Sequence, residues 1–341
     1  MDSLTQIVLG GAVAAACVPP TQRRRALVAG AVLGTLPDLD VAVLALFDLD
    51  PIGHMTWHRG PSHSLFVLAA LGACLAWLAR QRADAVRAAP WAWFAAIELA
   101  LLTHPLLDAF TVYGTQLFWP LPLPPVMISS VFIIDPLYTL PLLFAFVAGL
   151  WSGARPAART ALFAGLALST AYLGWSLVAK ALVERSAATE LAARGLADAP
   201  RFSVPMPFNT LLWRMVVMTP DGHLEGTRSL VADEGPIEFK HYPSDQRALA
   251  AVRPLSAPLR RLEWFARGFL KAEAVDGRLV VSDLRMGDEP DYTFRFVVAS
   301  ERDGRWTAIR PEQLDWPWQA RSRLAAMWQR IWNAPPPTPP R

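Results

Sequence analysis

The sequence predicts an α-helical integral membrane bundle of about four to six segments, carrying a C-terminal α+β extramembrane domain. Three observations predict it. The 341 residues are 53% hydrophobic and only 18% charged, whereas soluble chains run near a quarter charged. The charge is unevenly spread: no lysine precedes Lys180, and long uncharged runs fill the first half. The 14 tryptophans and 30 prolines suit membrane helices and their water boundaries. The chain therefore divides into a membrane part at 1–185, a polar part at 200–318 and a proline-rich tail at 333–341 that has no means of building a core. A net charge of +3 is too small to suggest a nucleic-acid partner. Cys17 and Cys74 both sit in apolar runs, which excludes a disulfide-rich fold and a cysteine zinc site.

A membrane helix needs about 20 apolar residues, and residues 62–79, 90–110, 136–152 and 160–183 come close. Two earlier stretches are weaker. Residues 3–18 are uncharged but rich in Gly and Ala; residues 25–47 are apolar but broken by Pro37, Asp38 and Asp40. Small residues let helix backbones approach closely, so this pair reads as a tightly packed hairpin. A signal peptide is the alternative for 3–18, against which stands the missing basic n-region. If all six stretches cross, Arg23–Arg25, Arg80, Arg82, Arg87, Arg155 and Arg159 fall on one side. The positive-inside rule makes that side cytoplasmic and the C-terminal domain extracytoplasmic.

In that domain 208–218 reads as a strand ending at Pro220-Asp221-Gly222, with further strands at 279–281 and 292–298. Asp276-Gly277 and Asp303-Gly304 read as hairpin turns. Residues 258–270 and 320–332 read as short amphipathic helices, and Trp316, Trp318, Trp328 and Trp332 as anchors at the bilayer surface.

Ionisable residues in apolar segments are costly and point to function. Here they form a set: Asp38 and Asp40, His58 and His63 in His58-Arg59-Gly60-Pro61-Ser62-His63-Ser64, His104 with Asp108, and Asp135. In the topology above all reach the arginine-poor side. Imidazole and carboxylate are donors for Zn, Mn or Fe. His104 and Asp108 share one helix face by their four-residue spacing. His58 and His63 bracket a Gly-Pro turn, and Asp38 and Asp40 turn inward from a Pro-broken loop. These six are the expected ligands of one or two divalent ions, zinc foremost. More than four ligands suggests two ions, which suits attack on a phosphoester. Asp40 or Asp135 would orient the attacking water or accept its proton, and Arg59 would neutralise a phosphate oxygen. Asp135 before Pro136 also reads as an N-cap, as Asp38 and Ser62 do for the helices after them. Asp2 reads as the cap of the first helix, and Asp108 as a marker of the water boundary.

No HExxH, GxSxG or P-loop motif occurs, which leaves metal-activated water as the simplest attacking group. The expected substrate is a phospholipid or other phosphoester at the lipid bilayer. The alternative is a non-enzymatic membrane metal-binding or transport protein using the same residues.

The chain resembles the YdjM-like and YfhP-like inner-membrane proteins, a family of membrane-bound metal-dependent hydrolases. The resemblance rests on Met1-Asp2-Ser3-Leu4-Thr5-Gln6, Gly34-Thr35-Leu36-Pro37-Asp38-Leu39-Asp40, the His58–Ser64 run and His104-Pro105-Leu106-Leu107-Asp108. Further matches are Tyr113-Gly114-Thr115-Gln116, Ile134-Asp135-Pro136-Leu137-Tyr138-Thr139 and Pro207-Phe208-Asn209-Thr210. It implies an inner-membrane, multi-pass location and hydrolase activity. Some relatives carry Thr-His where this chain has Thr5-Gln6. A fainter similarity is to zinc-dependent phospholipase C and P1-type nucleases. It implies phosphodiester cleavage, with His104 and Asp108 as the helical ligand pair.

Overall fold

The structure, a computed structural model, describes residues 1–316 and 320–334. Trp318 and most of the expected tail lie outside the described residues. The chain forms two compact units. The first comprises 1–49, 54–128 and 133–175; the second comprises 50–53, 129–132 and 176 onwards.

The first unit is helical. Asp2 accepts from the Thr5 amide and caps α1 (Ser3–Cys17). A 3₁₀ turn leads into α2 (Arg23–Thr35), a second 3₁₀ turn covers Leu36–Leu39, and α3 (Asp40–Leu44) follows. Pro37 sits in the first turn of that 3₁₀ segment, where its missing N–H costs nothing. The stretch expected at 25–47 is thus an apolar rod with a changed winding at the aspartates. Next come α4 (Pro51–Trp57), α5 (Leu65–Arg82), α6 (Asp84–Ala88), α7 (Pro90–Asp108), α8 (Pro136–Ser152) and α9 (Pro156–Ala193).

The α1 and α2 backbones nearly touch. A Cβ on Gly34 would lie 2.5 Å from the Gln6 carbonyl oxygen, and one on Gly30 would lie 2.5 Å from the Ala14 Cβ. Glycine at both sites is what permits this approach. On the other flank Ala14, Ala26, Trp93, Ala96 and Ala100 close a core between α1, α2 and α7.

Among the described residues three helical stretches are long and apolar enough to cross a membrane: 20–44, 65–82 and 156–193. In the apolar 18-residue window of each, only 17–22% of the residues are buried. Val28, Val32, Phe66, Trp77 and Leu168 face outward, an apolar surface that a soluble chain would have to hide. The helices α1 and α8 are apolar but have 15 and 17 residues. At about 1.5 Å per residue the former reaches roughly 22 Å, short of a ~30 Å hydrocarbon core. In the 19-residue α7, Glu98, His104 and Asp108 dilute an otherwise apolar helix.

In the second unit, four buried positions of α9 (Ala179, Val183, Ala187, Leu191) pack on one antiparallel sheet. That sheet is β1 (Arg201–Pro205), β2 (Leu212–Thr219), β3 (Gly222–Ser229) and β4 (Phe239–Pro243), neighbours in chain order. The helices α10 (Gln246–Val252) and α11 (Ala257–Phe265) follow. A second sheet, ordered β10-β9-β6-β5, is built from β5 (Leu270–Val275), β6 (Arg278–Asp283), β9 (Arg295–Arg302) and β10 (Arg305–Gln313). The small pair β7 (Gly287–Asp288) and β8 (Asp291–Tyr292) precedes β9, and α12 (Ala320–Trp332) ends the unit. The expected turns Asp276-Gly277 and Asp303-Gly304 each have positive φ at both residues, which fits the twist of a two-residue hairpin.

The strand expected from 208 starts only at 212, because Phe208 has φ 64 and Asn209 bonds the amides of Leu211 and Leu212. The helix expected over 258–270 stops at Phe265, and Arg267 and Gly268 turn the chain into β5. Burial pushes His223 down to about 4, which keeps it neutral beside Tyr292. Trp316 donates to the Asp291 carbonyl, while Trp328 and Trp332 stay exposed on α12.

Candidate metal centre

Three helical segments and one tight turn build the site. His104 and Asp108 lie one turn apart on α7 and are both buried. The 3₁₀ segment after α2 presents Asp38. His63 ends the short helical turn Pro61–His63. Arg59, with φ 60, and Gly60 reverse the chain before that turn. A Cβ on Gly60 would lie 2.8 Å from the Trp57 carbonyl oxygen, so the reversal needs glycine.

These elements bring Asp38, His63, His104 and Asp108 together, one donor atom from each, all within 4.8 Å of one another. His63 Nε2 lies 3.1 Å from His104 Nε2. Asp38 Oδ1 is 3.4 Å from each of those nitrogens. Asp108 Oδ2 is 3.3 Å from His63 and 3.5 Å from His104. Within this quartet Asp38 alone reaches solvent, its side chain 25% exposed.

The far sides of the rings place the Nδ1 hydrogens. His104 Nδ1 lies 2.6 Å from the Gly34 carbonyl oxygen, which only accepts, so Nδ1 carries the hydrogen. The Ser62 hydroxyl donates to Asp40 Oδ2 at 2.6 Å. Its oxygen is then left to accept from His63 Nδ1 at 2.9 Å. With both rings neutral, the two Nε2 atoms would present bare lone pairs to each other and to two carboxylates. Asp108 Oδ2 is buried without a hydrogen-bond partner. Arg59 and the Met1 amino group lie against Asp108 from outside the quartet, and between two neutral rings the lone-pair repulsion is relieved by a cation among the four atoms. Imidazoles whose second nitrogen donates to a carbonyl or an oxygen relay are also the usual form of a metal-binding histidine. The cluster fits a metal ion.

The remaining expected site residues do not join the quartet. Asp40 binds His58 Nδ1 at 2.9 Å, the Arg59 amide at 3.2 Å and Ser62. Asp40 and His58 were expected as ligands; they are instead paired with each other. Arg59 was expected to meet a substrate phosphate. It is 3% exposed, 3.2 Å from Asp108 Oδ2, bonded to Thr111 and stacked on Tyr113, so its charge is already answered. Asp135 caps α8 through the Leu137 and Tyr138 amides, and its other oxygen accepts from Tyr172. The capping alternative accounts for the contacts of Oδ1, and Asp135 does not belong to the quartet.

Sequence reasoning missed Ser62 as a bridge, the Gly34 carbonyl and Gln6. The Gln6 amide donates to Asp108 Oδ1 at 3.0 Å and leaves its own Oε1 buried without a partner. The α-amino group of Met1 also donates to Asp108 Oδ1. The departure of Gln6 from the Thr-His seen in some relatives was the one available signal for that position.

No curated protein and no solved structure matches the chain. Residues 1–183, more than half the chain, match the family model described as YdjM inner membrane protein, and the chain belongs to that family.

Proposed function

We propose that the protein is a multi-pass, inner-membrane, metal-dependent hydrolase acting on a phosphoester or lipid-like substrate. The observation that carries this reading is the pair of histidine Nε2 atoms 3.1 Å apart, facing two carboxylates. Asp38, His63, His104 and Asp108 would hold one ion. Four ligands on a tetrahedral ion with bonds of about 2.0–2.1 Å stand ~3.3 Å apart, and five of the six separations here are 3.1–3.5 Å. That spacing favours zinc over the larger hard cations. A bound ion supplies Lewis-acid polarisation and lowers the pKa of water.

The chain's own residues do the rest. Arg59 offsets the charge of Asp108 and holds it in place. Asp40 accepts the hydrogen of His58 Nδ1, which fixes the ring and leaves Nε2 free to take a proton. His58 is 22% exposed, and its ring lies 5.8 Å from that of His63, so it stands at the solvent side of the quartet. His58, oriented by Asp40, is thus the general base. Asp38 marks the side from which substrate enters. A carrier needs access from two faces; a quartet with one exposed member supports the enzyme instead.

Elemental analysis of the purified protein after zinc, manganese or iron loading tests the site. We expect about one equivalent in the wild type and none retained through dialysis in His104→Ala. A metal-free wild type would leave protons as the occupants and sink the reading. His58→Gln is expected to keep the metal and lose phosphodiesterase activity by about 10²–10⁴-fold; unchanged turnover would remove His58 from catalysis.

A further inference from the structure

At the other end of the α1–α2 hairpin a cavity of about 220 Å³ opens among Ala15, Val18, Arg23, Arg159, Leu162 and Phe163. We infer that this cavity binds a phosphate group at the arginine-rich ends of the helices, away from the metal centre. Arg23 is 4% exposed, and its Nη1 donates to the Gly153 carbonyl at 2.8 Å. Its Nε is buried with no hydrogen-bond partner. Among the described residues Arg159 makes no hydrogen bond or ion pair, and its guanidinium lies over the face of Phe163, 5.6 Å from the ring centre. Among the described residues no carboxylate pairs with either arginine. A buried guanidinium without a counter-charge is costly, and an anion removes that cost.

Helix dipoles add to the same field. Arg23 opens α2 and Arg159 sits in the first turn of α9, and neither first turn holds an acidic residue. Those helix ends favour anions, yet this chain places cations there. The cavity is smaller than the ~300 Å³ at which sites for whole drug-sized molecules begin, so it takes a head group. Leu162 and Phe163 give it an apolar wall suited to the start of an acyl chain. Arg23 and Gly34, whose carbonyl holds His104, stand at opposite ends of α2, roughly 16 Å of helix apart. The two sites therefore differ in place and chemistry.

The phosphate can come from an anionic lipid head group or from free phosphate, and one experiment separates the sources. The purified full chain in detergent is titrated with phosphatidylglycerol, with phosphatidylcholine or with inorganic phosphate, and adducts are counted by native mass spectrometry. Arg159→Gln is the informative variant, because Arg159 makes no hydrogen bond whose loss would disturb folding. Arg24→Gln is the control, since Arg24 is spent on the Leu150 and Trp151 carbonyls. We expect phosphatidylglycerol or phosphate to bind the wild type and Arg24→Gln alike, and at least tenfold more weakly to Arg159→Gln, with metal content unchanged. Phosphatidylglycerol that free phosphate fails to displace makes the lipid the source; phosphate binding without lipid binding makes it the free ion. Absence of both adducts, equal binding by Arg159→Gln, or phosphatidylcholine held as well as phosphatidylglycerol would overturn the inference.

Discussion

Ser62 is the smallest side chain around the quartet, and the protonation of His63 depends on it. Its hydroxyl has one hydrogen. Asp40, a pure acceptor, takes that hydrogen at 2.6 Å, so the serine oxygen can only accept from His63 Nδ1. The chain of bonds from Asp40 to His63 is therefore directional, and in the neutral ring its far end is a lone pair aimed at the other three donors of the quartet. Ser62→Ala removes the relay and lets His63 adopt either tautomer. The expected result is a 10–100-fold weaker metal affinity, the usual loss when a partner behind a ligand is removed, with the fold intact. Ser62→Thr keeps the hydroxyl and is expected to restore affinity. Competition with a chromophoric chelator reads both. Wild-type affinity in Ser62→Ala would mean the tautomer is set by something else.

The close helix pair α1–α2 carries the site as much as the ligands do. Gly34 allows the approach to Gln6 and also supplies the carbonyl that orients His104; Gln6 on the facing helix holds Asp108. Gly30→Ala changes no group that touches the site, but its Cβ would press on the Gly10 carbonyl and on Ala14. Overpacking of this kind costs about 1–3 kcal/mol. A lower thermal midpoint together with weaker metal binding is expected; a lower midpoint with unchanged binding would show that the pair's spacing and the site are independent. The four-residue spacing made His104 and Asp108 legible, since any helix there puts them on one face, and the turn residues Gly60 and Pro61 made the return of His63 legible. The division of labour between Asp38 and Asp40 was not. At three residues per turn, positions two apart point about 240° from one another. Asp38 therefore faces the quartet and Asp40 the 58–62 turn, but nothing in Leu-Pro-Asp-Leu-Asp announces a 3₁₀ winding. Arg59 was misread for a related reason: sequence shows a cation near a site, not the buried carboxylate that already holds it.

At the scale of the whole chain the distribution of arginine is the remaining argument. Arg23, Arg24, Arg25, Arg80, Arg82, Arg87, Arg155 and Arg159 lie at helix ends or in the short connections between α1 and α2, between α5 and α7, and between α8 and α9. Alternating helix ends of an up-and-down bundle place these three connections on one face. Asp38, His63, His104 and Asp108 belong to the opposite ends of the same helices. Short loops rich in arginine stay in the cytoplasm, so the topology we propose opens the candidate metal centre to the other side and puts the C-terminal domain outside the cytoplasm. The turn Asp303-Gly304 joins β9 to β10 and is exposed, which makes it a neutral place for a label. In a chain with Cys17 and Cys74 replaced by alanine, Asp303→Cys is expected to react with a membrane-impermeant maleimide in intact spheroplasts as fully as in lysed ones. Reaction only after lysis would reverse the orientation and put both the metal centre and the sheet domain in the cytoplasm. A substrate drawn from the outer leaflet would then be untenable, while the four-residue cluster itself would stand.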